Sequence, residues 1–136
     1  AANTYDYIIV GAGSAGCVLA NRLTADGRHK VLLLEAGPGG HPLSRVPISY
    51  GQLIQDPAAN WCYESEPEEG MANRRIPVPR GRLLGGSSAI NGLVYVRGQP
   101  RDYDTWAQLG NRGWACHNLF PIFRKIENYK RGSDAF

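Results

Sequence analysis

The sequence predicts an α/β chain that supplies half of a doubly wound parallel sheet. Three observations carry that expectation: a short β-rich run from Tyr5 to Val10, a glycine-rich turn directly after it, and a second β-rich run from Lys30 to Leu34. Between the turn and the second run, Val18, Leu19, Arg22 and Leu23 set apolar groups and an arginine stem at helical spacing. Asp26-Gly27 then stops the helix. Strand, turn, helix and strand within about 32 residues (5–36) form the repeating unit of such a sheet. Two parallel strands need neighbours and cover on both faces, which this chain does not itself supply. The fold is therefore expected to be incomplete here and to be finished by a further segment or chain.

The stretch 38–79 is expected to be irregular. Pro42, Pro47, Pro57, Pro67, Pro77 and Pro79 recur too closely for long helices. Short strands fit at Trp61 to Ser65 and at Arg74 to Val78. A second glycine-serine segment follows, and beyond it a helical segment spans 102–130. In that segment, Asp102 to Leu109 and Asn118 to Tyr129 read as helices. Asn118 is the expected N-cap of the last helix, with Pro121 in its first turn and Leu119, Ile122, Phe123 and Ile126 on one face.

Composition excludes several classes. The 136 residues carry a formal charge of only +3. Their densest basic cluster (Arg74, Arg75, Arg80, Arg82) lacks the recognition helix or aromatic platform that nucleic acid would need. Cys17, Cys62 and Cys116 have neither metal-ligand nor disulfide spacing, and Cys17 reads as a buried structural thiol. No apolar run is long enough to cross a bilayer, and no signal-peptide pattern opens the chain. The first residue is Ala1 rather than Met, which leaves room for a removed leader.

Gly11-Ala12-Gly13-Ser14-Ala15-Gly16 is G-x-G-x-x-G between a strand and a helix, the context in which that pattern binds a dinucleotide. Gly11 serves the turn, Gly13 the close approach to a pyrophosphate, and Gly16 the packing of helix on strand. Free N–H groups and the dipole at the helix start favour the anion. Glu35 lies 19 residues beyond Gly16, at the end of the second strand, where a carboxylate accepts ribose hydroxyls and repels a 2′-phosphate. The fingerprint does not separate NAD from FAD. A second segment, from Gly81 to Gly98, bears on that choice: paired glycines and serines interleaved with apolar residues suit backbone lying against a flat or anionic ligand better than a solvated loop.

With these residues in view, the chain resembles the glucose-methanol-choline (GMC) oxidoreductase family. Gly81 to Asp104 is similar to the family's first signature, and Tyr5 to Gly16, Leu33 to Gly37, Asn60-Trp61 and Gly113-Trp114 are similar to its other N-terminal landmarks. The resemblance covers nearly the whole chain and implies the FAD-binding, N-terminal part of a protein several times longer. It implies a Rossmann-like fold of the GMC type, with the substrate and catalytic domain absent from residues 1–136. By the same resemblance, Gly11, Gly13, Ser14, Ala15 and Gly16 would hold the FAD pyrophosphate, and Glu35 and Ala36 the adenosine. Arg80, Gly86 and Ser87 would line the phosphate and ribityl region of a flavin-contacting segment 80–98. Asn91, Gly92, Leu93 and Val94 would run beside the isoalloxazine ring. Trp61 would stand near the cofactor, with a plain core tryptophan as the other reading. Some members carry a flavin-linked histidine where Ile90 stands, so the FAD here is expected to be non-covalent.

The implied activity is oxidation of an alcohol, with hydride transfer to flavin N5 and a histidine base from the C-terminal part. His29, His41 and His117 do not match the family's catalytic histidine motif, so no catalytic or metal-binding residue is assigned to this chain. Lyase or decarboxylase chemistry on the same scaffold, such as cyanohydrin cleavage, is the alternative reading; a non-catalytic FAD module is the third. Expected partners are a small alcohol substrate and the remainder of the enzyme, as a second polypeptide cut from the same precursor. The compartment is left open, with the cytoplasm favoured.

Overall fold

The computed structural model describes residues 4–127. The chain divides into two compact units, Ala1–Val94 and Tyr95–Phe136. The first opens with strand β1 (Tyr7–Val10), helix α1 (Ser14–Thr24) and strand β2 (Val31–Leu34). β1 and β2 pair in parallel with Tyr7 opposite Val31 and Val10 opposite Leu34. The Gly11 N–H extends the ladder by one bond to the Leu34 carbonyl at 2.7 Å. At the other end Asp6 donates its backbone N–H to Lys30 O, while its carboxylate accepts the Lys30 N–H. The βαβ unit is therefore where the sequence predicts it, with strands trimmed to four residues each.

Ile9 is the one buried residue of β1, facing Gly16 of α1. Its neighbours are not covered: Ile8 is 62 % exposed and Val10 85 %. Val18 and Leu19 of α1 are also more than half exposed. Cys17 corrects the sequence reading: it is exposed, and its thiol turns back to donate to the Ala12 carbonyl at 3.3 Å.

The proline-rich middle contains only short elements: 3-10 turns at Pro42–Arg45, Pro47–Ser49 and Glu69–Met71, a single helical turn α2 (Tyr50–Leu53), and two-residue strands β3 (Tyr63–Glu64) and β4 (Pro77–Val78). β3 and β4 pair antiparallel, with Tyr63 opposite Val78. His41 ties this region together by accepting the Leu43 N–H on Nδ1 and pairing through Nε2 with Asp56 at 3.3 Å. The unit's core is small: Leu53, Ala59, Leu83 and Ile90 are buried together, with Leu43, Ile54 and Ala89 against them.

In the second unit, helix α3 (Pro100–Gln108) begins two residues before the expected Asp102, because Pro100 suits the first helical position. The Asp102 carboxylate accepts the Gln99 N–H at 2.8 Å. Helix α4 (Cys116–Ile126) is capped by Ala115, so Asn118 is its third residue and not its N-cap. Asp104 explains the shift, since its carboxylate takes the Cys116 N–H at 2.9 Å and starts the helix there. Pro121 consequently lies inside the helix rather than in its first turn. The expected helix end at Tyr129, and the limit of segment 102–130, lie outside the described residues. Tyr103 packs against Trp106 and Phe123, and Trp106 edge-on against Trp114, an aromatic cluster in which the two tryptophans remain about half exposed. Arg97 pairs with Glu127 and covers the Phe120 ring; the Tyr95 hydroxyl, and then Glu127, hold its guanidinium above the ordinary value.

Candidate functional site

The first glycine loop and the second glycine-serine segment meet. The Gly85 N–H donates to the Ala12 carbonyl at 2.8 Å, and Gly13 and Gly85 form a parallel bridge. Gly86 has φ +56°, and a Cβ there would lie 2.8 Å from the Cα of Gly13. The two backbones thus touch with no side chain between them, a contact that only glycine permits. Gly16 is equally constrained, because a Cβ would lie 1.9 Å from the Gly11 carbonyl oxygen. Its absence lets α1 start tight against the loop.

Gly13 caps α1 through its carbonyl, which accepts the Cys17 N–H at 2.9 Å. The amides of Ser14, Ala15 and Gly16 precede that first intrahelical bond, so the helix offers them no carbonyl. The first turn carries no acidic side chain to neutralise this positive end. Ser14 and Ala15 are exposed, while Gly16 is buried beneath them.

Glu35 has a role that the sequence reading missed. One carboxylate oxygen accepts the Ala12 N–H at 2.8 Å and the other the Gly37 N–H at 2.9 Å, so this side chain pins the glycine loop to the end of β2. Each oxygen keeps a further lone pair for a ligand hydroxyl. Ala36 beside it is exposed. Ser87 also works within the fold: its hydroxyl accepts the Gly81 N–H at 3.1 Å and closes the loop that presents Gly86.

Gly16 thus lies against Gly11 and Gly86 against Gly13, while Glu35 and Ser87 are tied to the two loops through Ala12 and Gly81. Arg80 and Trp61 lie one step away, paired through the Trp61 N–H and the Arg80 carbonyl at 2.8 Å. Trp61 is not a core residue. It is 41 % exposed, stacked at 4° on Tyr63, with the Arg82 guanidinium 5.5 Å from its ring centre. Asn91, Gly92, Leu93 and Val94 follow as exposed backbone, in which the Asn91 carboxamide accepts the Leu93 N–H and Leu93 takes φ +62°. Ile90 points the other way, 2 % exposed in the core. Segment 80–98 as read from the sequence runs past the end of the first unit at Val94.

The description GMC oxidoreductase belongs to a family model that matches residues 5–132. The chain belongs to the GMC oxidoreductase family. It is 48 % identical over 134 residues to an oxygen-dependent choline dehydrogenase of Photobacterium profundum, covering 98 % of this chain and 24 % of that protein. It is also 48 % identical over 128 residues to an alcohol dehydrogenase [acceptor] of Pseudomonas putida, covering 93 % and 23 %. The crystal structure of pyridoxine 4-oxidase from Mesorbium loti superposes with a TM-score of 0.88 at 39 % identity, over 95 % of this chain and 26 % of that one. This GMC chain thus spans about a quarter of the length of the relatives it matches. Its fold is the N-terminal, FAD-binding part of the family architecture, of which the described residues hold two parallel strands.

Proposed function

We propose that this chain holds FAD without a covalent link and forms the cofactor-binding part of an enzyme that oxidises an alcohol. The observation that carries the reading is the contact of Gly86 with Gly13, which closes two bare backbone segments into one cradle. The free amides of Ser14, Ala15 and Gly16 suit a pyrophosphate, and the spare lone pairs of Glu35 suit ribose hydroxyls, with Ala36 alongside the adenosine. Arg80, Gly86 and Ser87 border the phosphate and ribityl region, and Trp61 stands beside them. Asn91, Gly92, Leu93 and Val94 would run beside the ring; the Leu93 N–H is taken by the Asn91 carboxamide, which leaves the Gly92 and Val94 N–H groups as the donors that would favour added negative charge. Bound there, the flavin supplies the hydride acceptor at N5.

Non-covalent binding is supported by Ile90, which has no nucleophilic atom and is buried in the core. The histidines support placing the base on the remainder of the enzyme. His41 is engaged with Leu43 and Asp56, His29 packs edge-on against Tyr7, and His117 lies in α4, in the other unit. The close relatives named as dehydrogenases of choline and alcohols support a CH–OH donor. The test is a visible spectrum of the holoprotein before and after acid precipitation, followed by anaerobic mixing with an alcohol panel. Flavin absorbance that moves to the supernatant and bleaches with an alcohol is expected. A nicotinamide in the supernatant, or flavin retained in the pellet, refutes the cofactor assignment as stated.

A further inference from the structure

Asn60 is 3 % exposed, and its carboxamide has three partners. Nδ2 donates to the Ile54 carbonyl at 2.6 Å, while Oδ1 accepts the Cys62 N–H at 3.0 Å and the Arg80 N–H at 2.8 Å. The backbone on either side pairs with the same opposite segment: Trp61 N–H to Arg80 O and Arg82 N–H to Ala59 O, each at 2.8 Å, with Asn60 bridged to Gly81. This short ladder does not run on regularly into the β3–β4 pair. Pro79 has no N–H to contribute, and Cys62 takes φ +52°, rare for a residue with a Cβ. At that fault the Asn60 side-chain oxygen accepts two N–H groups at once.

From Arg80 the chain has six residues in which to reach Gly86 and its contact with Gly13. Gly81, the first of them, is already tied to Ser87. The position of Arg80 therefore sets where Gly85–Ser87 meets the first loop. We infer that Asn60 is a positioning residue for the cofactor cradle, its carboxamide oxygen holding Arg80 in the register that presses Gly86 onto Gly13. The inference rests on the FAD reading above and adds to it a side chain that faces the core rather than the cradle.

The chemistry makes two variants informative. Asn60→Leu has similar size and offers no acceptor, so the Arg80 and Cys62 N–H groups lose their partner. Asn60→Asp keeps the acceptor for both, and in place of the donation to Ile54 sets a buried carboxylate oxygen against that carbonyl. Both are expected to lower the melting temperature, since each leaves a buried polar group unpaired. Only the first is expected to release the cradle. The holoprotein is stripped of flavin and reconstituted, with FAD affinity read by quenching of flavin fluorescence on apoprotein shown to be folded. Asn60→Leu is expected to bind FAD about tenfold or more weakly than the parent, and Asn60→Asp within about threefold. If either variant fails to fold, the pair is compared in a Cys62→Gly background, where glycine fits the left-handed φ. Affinity of Asn60→Leu within twofold of the parent, or equal losses in the two variants, overturns the inference. A parent protein that takes up no FAD overturns the underlying reading instead.

Discussion

Replacing Gly86 by alanine isolates the contact on which the cradle depends. Two costs add at this position. The backbone at φ +56° charges any Cβ about 1–2 kcal/mol for the left-handed region. The new methyl would also sit 2.8 Å from Gly13 Cα, well inside the roughly 3.5–4.0 Å at which carbon atoms attract. The neighbour is backbone, so relief means moving one glycine segment away from the other by about 1 Å. Gly27 provides the control, because it has φ +70° with nothing within 4 Å of a built Cβ. Gly27→Ala meets the first cost alone. Urea unfolding of the apoprotein is expected to show about 1–2 kcal/mol lost in Gly27→Ala and about 1–3 kcal/mol more in Gly86→Ala. The FAD dissociation constant is expected to be unchanged in Gly27→Ala and raised at least about tenfold in Gly86→Ala, a step of about 1.4 kcal/mol. Equal unfolding energies and equal dissociation constants in the two variants would refute the argument that the cradle is built on this approach.

Three further outcomes follow from the same geometry. Glu35→Gln leaves one acceptor oxygen for two backbone N–H groups and turns an amide donor toward the other, so about 1–3 kcal/mol of apoprotein stability should be lost before any effect on ribose binding; unchanged urea unfolding of the apoprotein would contradict this. Asp26 is held below the ordinary aspartate range by the Arg28 N–H first and the Arg28 guanidinium second. Its contribution is therefore present above the unfolded-state value and is lost as pH falls through the lower folded-state value; a carbon NMR titration of its carboxyl with an ordinary or raised midpoint would contradict the assignment. The 136-residue chain produced alone should be aggregated or free of flavin, because Ile8, Val10, Val18 and Leu19 stand uncovered; a stable yellow 14.9 kDa monomer in gel filtration would show that the fold needs no completion.

What could be read from the sequence is what short-range pattern encodes. The βαβ unit was legible because β-rich runs and a helical apolar stripe flank the glycine turn, and each of those signals acts within a few residues. The second glycine-serine segment is marked by composition, its paired glycines and serines interleaved with apolar residues, and not by periodicity; the family resemblance alone implies what each of its residues would do. Its contact with the first loop depends on a separation of about 70 residues that pattern does not encode. The start of α4 was misplaced for a related reason: Asn118 is a good cap locally, but the Asp104 carboxylate captures the N–H of Cys116, 12 residues beyond it, first. Glu35 is read from the sequence as a ribose-binding residue and its structural bonds are missed, because a charge at the end of a strand does not disclose which amides turn toward it. Asn60 was seen only as half of the Asn60-Trp61 landmark; one polar side chain followed by an aromatic gives no sign that it will be buried with three partners.

The distribution of tight contacts has a consequence for how the cradle is specified. The parallel strands bury one residue of β1 and leave its neighbours open, so the sheet contributes little to holding the two loops together. The larger buried cluster, Leu53, Ala59, Leu83 and Ile90, lies on the side of the second segment, flanking Gly85 and Gly86 by two and four residues. Apolar packing thus anchors that segment at both ends, and directional bonds (Asn60 to Arg80, Ser87 to Gly81, Gly85 to Ala12) set its register between them. Burial is non-directional, whereas a hydrogen bond constrains both a distance and an angle. On the proposed reading, an arrangement of this kind would align N–H groups toward one ligand with only two parallel strands in the sheet beside it among the described residues. The geometry of the dinucleotide cradle is on this account set by the first unit itself, and completing the sheet would add stability to the cradle rather than give it its shape.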